Sequence, residues 1–299
     1  ALNEQFEDMK PPPFHYHDPR SLDDALGLLA EKENAKLLAG GQSLVPMMNM
    51  RFVFPDDVID LNHIPELASI GEDGGRVRIG SMTRQCTLER SEVIRERFPI
   101  IVEALRHVGH IQTRNRGTIG GSLCHLDPSA ELPTVAQGLE ATIHVQSKRG
   151  ARTLAMADFP AFFMTPAIEP DEIVTAVEFA PWPKDHGFAF VEFARRHGDF
   201  AIVGVAALLV LSENGSISRA SITLGGVGQA PVRCTAAEEI TTGSDGSDTA
   251  MLEAAETCRG IDAMDDVHVS GVYRRQLATA LTRRALRRAY DRASGETVA

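Results

Sequence analysis

The chain has 299 residues, of which 43% are hydrophobic and 24% charged, a composition typical of globular proteins. Its formal net charge of −11 argues against a protein that binds nucleic acid or an anionic membrane. The longest apolar run, residues 201–211, contains a glycine and is too short to cross a bilayer. The first ten residues are polar and acidic and lack a secretory hydrophobic segment, so we expect a cytoplasmic protein.

Cysteine and histidine spacing gives no sign of a metal centre. The four cysteines contain no C-x-x-C pair, which argues against a zinc or iron–sulfur site built within this chain. No pair among the ten histidines is completed by an acidic or thiol partner. We therefore predict no metal ligands and no catalytic side chains of its own.

The first predicted unit, residues 1–64, combines one helix with short strands. Ser21 is the expected N-cap of the helix, with two aspartates in its first turn. A buried strand at residues 36–39 leads into a Gly-Gly turn, and another strand is predicted at 57–61. The Met-rich segment 44–50 is interpreted as flexible core.

The second predicted unit, residues 65–183, mixes strands and helices. Strands are predicted at residues 76–79, 140–145, 151–154 and 171–179, the last as the strand leaving the unit. Helices are predicted at 87–96 and 99–108, the second with proline in its first turn and Gly109 as its stop. Residues 181–184 (Pro-Trp-Pro-Lys) are the predicted linker.

The third predicted unit, residues 184–299, begins with strands and ends with helices. Strands are expected at 188–193, 201–211 and 216–224, and helices at 236–240, 248–260 and 272–292. Asn214-Gly215 is a strong hairpin signal between the last two strands. The last helix carries seven arginines against one aspartate, which we interpret as a solvated face, with docking of an acidic partner subunit as the open alternative.

Two glycine turns are the strongest functional signal. They are Ala39-Gly40-Gly41-Gln42-Ser43 and Thr118-Ile119-Gly120-Gly121-Ser122. Glycine can adopt positive φ and so turn successive N–H groups toward one anion. Arg114 and Arg116 add positive charge beside the second turn. Two such turns would suit the two phosphates of a dinucleotide.

With their flanking residues, these turns resemble one family: the medium, FAD-binding subunits of molybdenum hydroxylases, in the carbon monoxide dehydrogenase and xanthine dehydrogenase superfamily. The resemblance is carried by residues 39–48, 112–122 and 195–201 and covers nearly the whole chain. It implies an α+β fold. A two-part FAD-binding module, similar to that of vanillyl-alcohol oxidase, would occupy residues 1–64 and 65–183. A C-terminal α+β domain with an antiparallel sheet would occupy residues 184–299.

The resemblance also implies how FAD would be held. Both glycine loops would bind the pyrophosphate through backbone N–H groups, and Glu131 would lie at the ribose end, with Asp127 as its competitor for a polar contact. Val108 and Val174 would flank the flavin, and Phe190 corresponds to an aromatic residue near the ring in carbon monoxide dehydrogenases. The implied cofactor-binding set is Ala39, Gly40, Gly41, Gln42, Ser43, Leu44, Val108, Thr118, Ile119, Gly120, Gly121, Ser122, Asp127, Glu131, Val174 and Phe190.

Departures from the family pattern bear on the substrate. Xanthine dehydrogenases have a lysine near the flavin where this chain has Val191, and carbon monoxide dehydrogenases usually have a histidine where it has Gln42. Gln42 weakens the case for carbon monoxide and favours an aromatic N-heterocycle.

The resemblance implies an assembly of three different subunits, each present twice. A large subunit would hold the molybdenum cofactor and a small subunit the 2Fe-2S clusters. Electrons would pass from the clusters to FAD and on to an external acceptor.

Three alternatives remain open. The chain could be the medium subunit of a carbon monoxide or aldehyde dehydrogenase. It could be a self-sufficient FAD-dependent oxidoreductase, with His110, Cys124 or His125 as the acid, base or covalent attachment point. It could also be a non-catalytic nucleotide-binding scaffold.

Overall fold

The structure, a computed structural model, describes residues 10–295, so the predicted polar N-terminal segment lies almost wholly outside the described residues. The strands are β1 His15–His17, β2 Ala35–Leu38, β3 Asp57–Asp60, β4 Ile70–Asp73, β5 Arg76–Gly80, β6 Thr142–Ser147, β7 Gly150–Ala155, β8 Pro160–Phe162, β9 Thr165–Pro166, β10 Ile173–Phe179, β11 Gly187–Phe193, β12 Val203–Leu211, β13 Ile217–Gly225 and β14 Val232–Arg233. The helices are α1 Leu22–Glu31, α2 Leu44–Asn49, α3 Gln85–Arg90, α4 Glu92–Arg97, α5 Pro99–Leu105, α6 Ile111–Arg116, α7 Ile119–His125, α8 Glu131–Gly138, α9 Thr235–Thr241, α10 Asp248–Glu256 and α11 Gly271–Ser294.

The first sheet is small and parallel, with β3 between β1 and β2. Helix α1 packs on it through Leu26, which lies in one buried cluster with Ile59. Ser21 caps α1 as predicted, because its side chain accepts a hydrogen bond from the Asp24 N–H. In the Met-rich segment only Met48 is buried, while Met50 is 60% exposed, so that segment is mostly not core.

The second sheet is antiparallel, in the order β4-β5-β10-β6-β7. Strand β10, the last strand before the predicted linker, lies at the centre of this sheet and is buried along almost its whole length. Helices cover the sheet, including α5 and α8, and they share a core with Ile79 and Val177. The single helix predicted at 87–96 is two helices, because Ser91 ends α3 and caps α4.

The third sheet is also antiparallel, in the order β11-β12-β13-β14. Gly215 has φ of +84°, which confirms the predicted hairpin turn. On β12, Leu208 faces the core of the second sheet, while Leu209 faces α9, α10 and α11. Since the sheet is buried on both faces, β12 has a continuous apolar run rather than an alternating one.

The segment predicted as a linker is packed against the protein. Trp182 is only 6% exposed, and the Arg219 guanidinium lies over its ring, 3.9 Å from the centroid. Each of the three predicted units contains a sheet of its own, while the division at 64/65 and 183/184 stays a prediction.

The Arg-rich helix α11 is held mainly within the protein, so its interpretation as a solvated face is wrong for much of its length. Arg274 is buried, donates to the carbonyls of Ile202 and Gly226, and pairs with Asp266. Arg292 donates to Glu103 Oε2 at 2.6 Å. Within residues 10–295, no helix is both long and apolar enough to span a membrane.

Candidate functional site

A cavity of about 1100 Å³ opens where the three predicted units meet. Both glycine loops line it, together with parts of α8, β10 and residues 195–202 from the third unit. All of the predicted cofactor-binding residues lie on its wall except Ile119 and Phe190. The structure therefore brings together residues far apart in the sequence around one elongated space, although their roles in binding stay predictions.

The first glycine loop offers a set of backbone donors. It follows β2 directly, Gly41 has φ of +71°, and α2 begins at Leu44. The N–H groups of residues 40–44 donate to no acceptor within residues 10–295. Consecutive unpaired N–H groups at a left-handed turn and a helix start form a concave anion-binding site.

Several N–H groups of the second glycine loop are engaged within the protein. Thr118 caps α7, and its Oγ1 accepts from the Gly121 N–H at 3.0 Å. Gly120 donates to the Ser81 carbonyl at 2.8 Å, and Ile119 donates to the Thr83 carbonyl at 3.1 Å. Neither Gly120 nor Gly121 has positive φ. These three N–H groups serve the fold, and the role of the second loop in FAD binding stays a prediction.

The glycines of the two loops allow close packing between the loops and their surroundings. A Cβ on Gly40 would overlap the Arg116 carbonyl, just before the second loop. A Cβ on Gly120 would stand 2.5 Å from the Ser81 Cβ. The loops consequently form one continuous wall of the cavity, with the Ser122 hydroxyl on its surface and without a partner within residues 10–295.

Two polar side chains on the cavity wall were missed by the sequence analysis. Ser81 and Gln85 are 3% and 5% exposed, and Ser81 Oγ and Gln85 Oε1 have no partner within residues 10–295. Buried polar atoms normally have partners, so these orphaned atoms, in residues that line the cavity, are candidate contacts for a polar ligand such as FAD. The sequence signal that could have identified them is position, since Ser81 directly follows β5 and Gln85 begins α3.

The acidic side chains on the wall differ in their surroundings. Burial, helped by the charge of Asp127, raises the pKa of Glu131 to about 7. Asp127 Oδ1 accepts from the Ser129 N–H at 2.8 Å, so one of its oxygens stabilises a turn.

The thiol and imidazole nearest the second loop are electrically neutral near pH 7. Burial raises the pKa of Cys124 to about 12 and lowers the pKa of His125. Within residues 10–295 no three His, Cys, Asp or Glu side chains are grouped to hold a metal ion.

The apolar part of the wall suits a ring system. Val108 and Val174 both line the cavity, with Ile168 and Met164 nearby on the same wall. Phe190 is instead 1% exposed in the core, with its ring centroid 5.5 Å from that of His107. Ile119 is likewise a core residue.

Comparison with known families identifies the class. Residues 12–182 match the FAD-binding domain of molybdopterin dehydrogenases, and residues 188–289 match the C-terminal domain of the carbon monoxide dehydrogenase flavoprotein. The chain therefore belongs to the family of FAD-binding subunits of molybdenum-containing hydroxylases and dehydrogenases, and it is an FAD-binding oxidoreductase subunit.

Alignments with individual relatives cover nearly the whole chain. It is 41% identical to the 6-hydroxypseudooxynicotine dehydrogenase complex subunit alpha of Paenarthrobacter nicotinovorans, over 95% of this chain and 97% of that protein. It is 39% identical to the caffeine dehydrogenase subunit beta of Pseudomonas sp. strain CBB1, with the same coverage of 95% and 97%.

Solved structures confirm the predicted α+β fold, with its FAD-binding module and C-terminal domain. Carbon monoxide dehydrogenase from Hydrogenophaga pseudoflava matches with a TM-score of 0.92 and 35% identity, over 95% of this chain and 99% of that one. Quinoline 2-oxidoreductase from Pseudomonas putida 86 matches with a TM-score of 0.91 and 34% identity, again over 95% and 99%.

Proposed function

We propose that this chain is the FAD-carrying electron-transfer subunit of a three-subunit molybdenum hydroxylase. It would receive electrons from iron–sulfur clusters on a small partner subunit and pass them to an external acceptor. The observation that carries this proposal is the cavity itself. Unpaired backbone donors of residues 40–44, orphaned polar atoms and an apolar wall surround one elongated space in a chain of the FAD-binding family.

In this function the flavin supplies the redox chemistry, while the protein supplies placement and electrostatics. We assign the N–H groups of residues 40–44 to the pyrophosphate, with the Ser122 hydroxyl beside them. Val108 and Val174 would exclude water from the two faces of the ring. Ser81 and Gln85 join the predicted set as polar contacts.

The proposed substrate of the complex is an aromatic N-heterocycle, oxidised on the large subunit. Relatives named for nicotine-type compounds and caffeine are 39–41% identical to this chain, against 34–36% for two carbon monoxide dehydrogenase medium chains. Gln42 in the first loop supports the same choice.

Relatives named as medium chains or complex subunits support an assembly of this chain with a large and a small partner subunit. We propose that each of the three subunits is present twice. The cytoplasmic location stays a prediction.

Covalent flavin attachment through a cysteine needs an accessible thiolate. Burial raises the pKa of Cys124 to about 12, which argues against attachment through that thiol. A self-sufficient flavin enzyme that uses His110 or His125 stays the alternative prediction.

The test is purification of the native protein from its own cells. We expect two other subunits to co-purify, molybdenum and iron to be present, and the flavin absorption to bleach when a pyridine- or quinoline-type compound is added. Carbon monoxide and simple aldehydes serve as comparison substrates. A solitary chain that oxidised an organic substrate with FAD alone would overturn the proposal.

A further inference from the structure

A line of side-chain hydrogen bonds runs directly behind the first glycine loop. Asn62, two residues after β3, donates from Nδ2 to the Ala39 carbonyl at 2.9 Å. Its Oδ1 accepts a hydrogen bond from Arg84 Nη2, and Arg84 Nη1 donates to the Arg116 carbonyl. These bonds join the first residue of one glycine loop to the segment just before the other, although the two are far apart in the sequence.

The neighbours of Asn62 determine which way its amide group faces. A guanidinium group only donates hydrogen bonds, so the side-chain oxygen of Asn62 faces Arg84. The NH₂ group consequently faces two acceptors, the Ala39 carbonyl and Asp60 Oδ1. Asp60 is 7% exposed, and it also accepts from the Asn62 N–H at 2.9 Å and from the Tyr16 hydroxyl at 2.6 Å. The Asn62 amide is therefore fixed in one orientation.

That orientation sets the direction of one backbone donor of the loop. The Ala39 carbonyl and the Gly40 N–H belong to the same trans peptide group, so they point in opposite directions. Because Asn62 holds the carbonyl, the Gly40 N–H points away from Asn62. This N–H donates to no acceptor within residues 10–295, and Gly40 lines the cavity, whereas Asn62 and Arg84 do not.

The same bonds make this N–H a stronger donor. Hydrogen bonds that follow one another in a line polarise each other. The Arg84 guanidinium is half-buried, so its charge is less screened by water than an exposed charge would be. It withdraws electron density from the Asn62 amide, which in turn withdraws it from the peptide group before Gly40. Arg84 also holds the Arg116 carbonyl against which Gly40 packs, and it thereby fixes the position of the loop.

We propose that Arg84 and Asn62 are positioning residues that aim the Gly40 N–H at the FAD pyrophosphate and strengthen its hydrogen bond. The inference rests on the proposed assignment of residues 40–44 to the pyrophosphate. Neither side chain reaches the cavity, so the charge of Arg84 acts on FAD through the Asn62 amide and a single peptide group. A residue of similar size without a donor at position 62 would fill the same space but break this line.

The experiment measures the FAD affinity of the full chain in its native complex, by flavin fluorescence after reversible removal of FAD. We expect Arg84→Gln and Asn62→Leu each to weaken binding about tenfold, as expected for a weakened charge-assisted hydrogen bond. Asn62→Leu leaves the charge of Arg84 in place, so its loss of affinity reports the line of hydrogen bonds. Arg84→Lys keeps the charge and a donor for Asn62, and it should restore most of the lost affinity.

Arg292→Gln is the matched control for the loss of a partly buried arginine. Arg292 also donates to a backbone carbonyl, that of Phe188 at 2.6 Å, but it does not line the cavity. We expect this variant to lower the melting temperature of the FAD-free protein and to leave FAD affinity unchanged. Loss of FAD affinity in Arg292→Gln equal to that in Arg84→Gln would overturn the inference, because general destabilisation would then explain both.

Amide hydrogen exchange, measured at saturating FAD, separates positioning from stability. FAD should protect the peptide that contains residues 39–44 in the wild type. In Arg84→Gln and Asn62→Leu this peptide should lose protection equivalent to about one amide, while a peptide that contains Val174 keeps its protection. Wild-type affinity or wild-type loop protection in both variants would overturn the inference and leave the proposed function intact. A wild-type chain that bound no FAD would overturn the proposed function, and this inference with it.

Discussion

At the scale of single residues, the glycines of the two loops perform different tasks. Gly41 adopts the left-handed conformation that opens the first loop, whereas Gly40 and Gly120 are needed for close approach of other backbone segments. The sequence predicted two glycine loops. It could not assign these tasks, because the group that excludes a side chain at Gly40 is the carbonyl of Arg116, which is remote in sequence.

Gly40→Ala should weaken FAD binding at least tenfold, because the new Cβ would push the first loop away from Arg116 and misalign the unpaired N–H groups. Flavin absorbance after gel filtration, compared with protein concentration, measures retention. Gly71→Ala is the control, since a Cβ there would meet nothing within 4 Å and Gly71 does not have positive φ. Full flavin occupancy in Gly40→Ala would show that the contact between the loops does not position the donors.

At the scale of elements, long apolar patterns and several short strands, such as β2 and β3, were predicted, whereas other short strands were not. Strands β12 and β13 and their hairpin follow from an unbroken apolar run and the Asn214-Gly215 signal. Strands β1 and β4 have only three or four residues, and they form because neighbouring strands pair with them, so no local periodicity reveals them. The central position of β10 in its sheet was likewise not predictable, since strand order within a sheet is a tertiary property.

The Arg-rich helix α11 shows the same limit, because its partners come from other elements. The Arg292 guanidinium lies 4.4 Å from the centroid of the Phe188 ring, and the same group binds Glu103 on α5. Both charged side chains are mostly buried, at 28% and 14% exposure. Glu103 would be left buried with weaker compensation if Arg292 were removed.

Arg292→Met should therefore destabilise the protein by about 1–2 kcal/mol, less than a fully buried pair would lose because some solvent screening remains. Arg284→Met, at an exposed position on the same helix, should change stability by less than about 0.5 kcal/mol. Urea unfolding of both variants measures the difference. Equal stability of the two variants would show that the contact with Glu103 contributes nothing.

At the scale of the whole molecule, the site depends on how the three sheets and their helices dock. The family resemblance correctly identified the cofactor, and fourteen of the sixteen residues that it implied for cofactor binding line the cavity. It placed Phe190 near the flavin, whereas the third sheet presents Phe190 to the shared core. Ser81, Gln85 and Glu192 were missed because their importance lies in unpaired buried atoms, which become visible only when every neighbour is in place.

The docking of these parts also makes stability depend on pH. Burial raises the pKa of Glu192 to about 8 from its ordinary value of 4.5. Because the folded protein favours the protonated form, this contribution is fully present below about pH 4.5 and is lost as pH rises through about 8. The total loss attributable to Glu192 is at most about 5 kcal/mol.

Glu192→Gln removes that ionisation while keeping the shape of the side chain. We expect its melting temperature to match that of the wild type near pH 5 and to exceed it above about pH 8. Thermal unfolding across this range measures the effect, with Glu178→Gln as the control, since Glu178 is paired with Arg76 and His144. Wild-type and Glu192→Gln curves that stayed parallel at all pH values would mean that Glu192 is already ionised in the folded protein. Divergence at high pH would show that the folded protein retains a destabilising buried acid at this position.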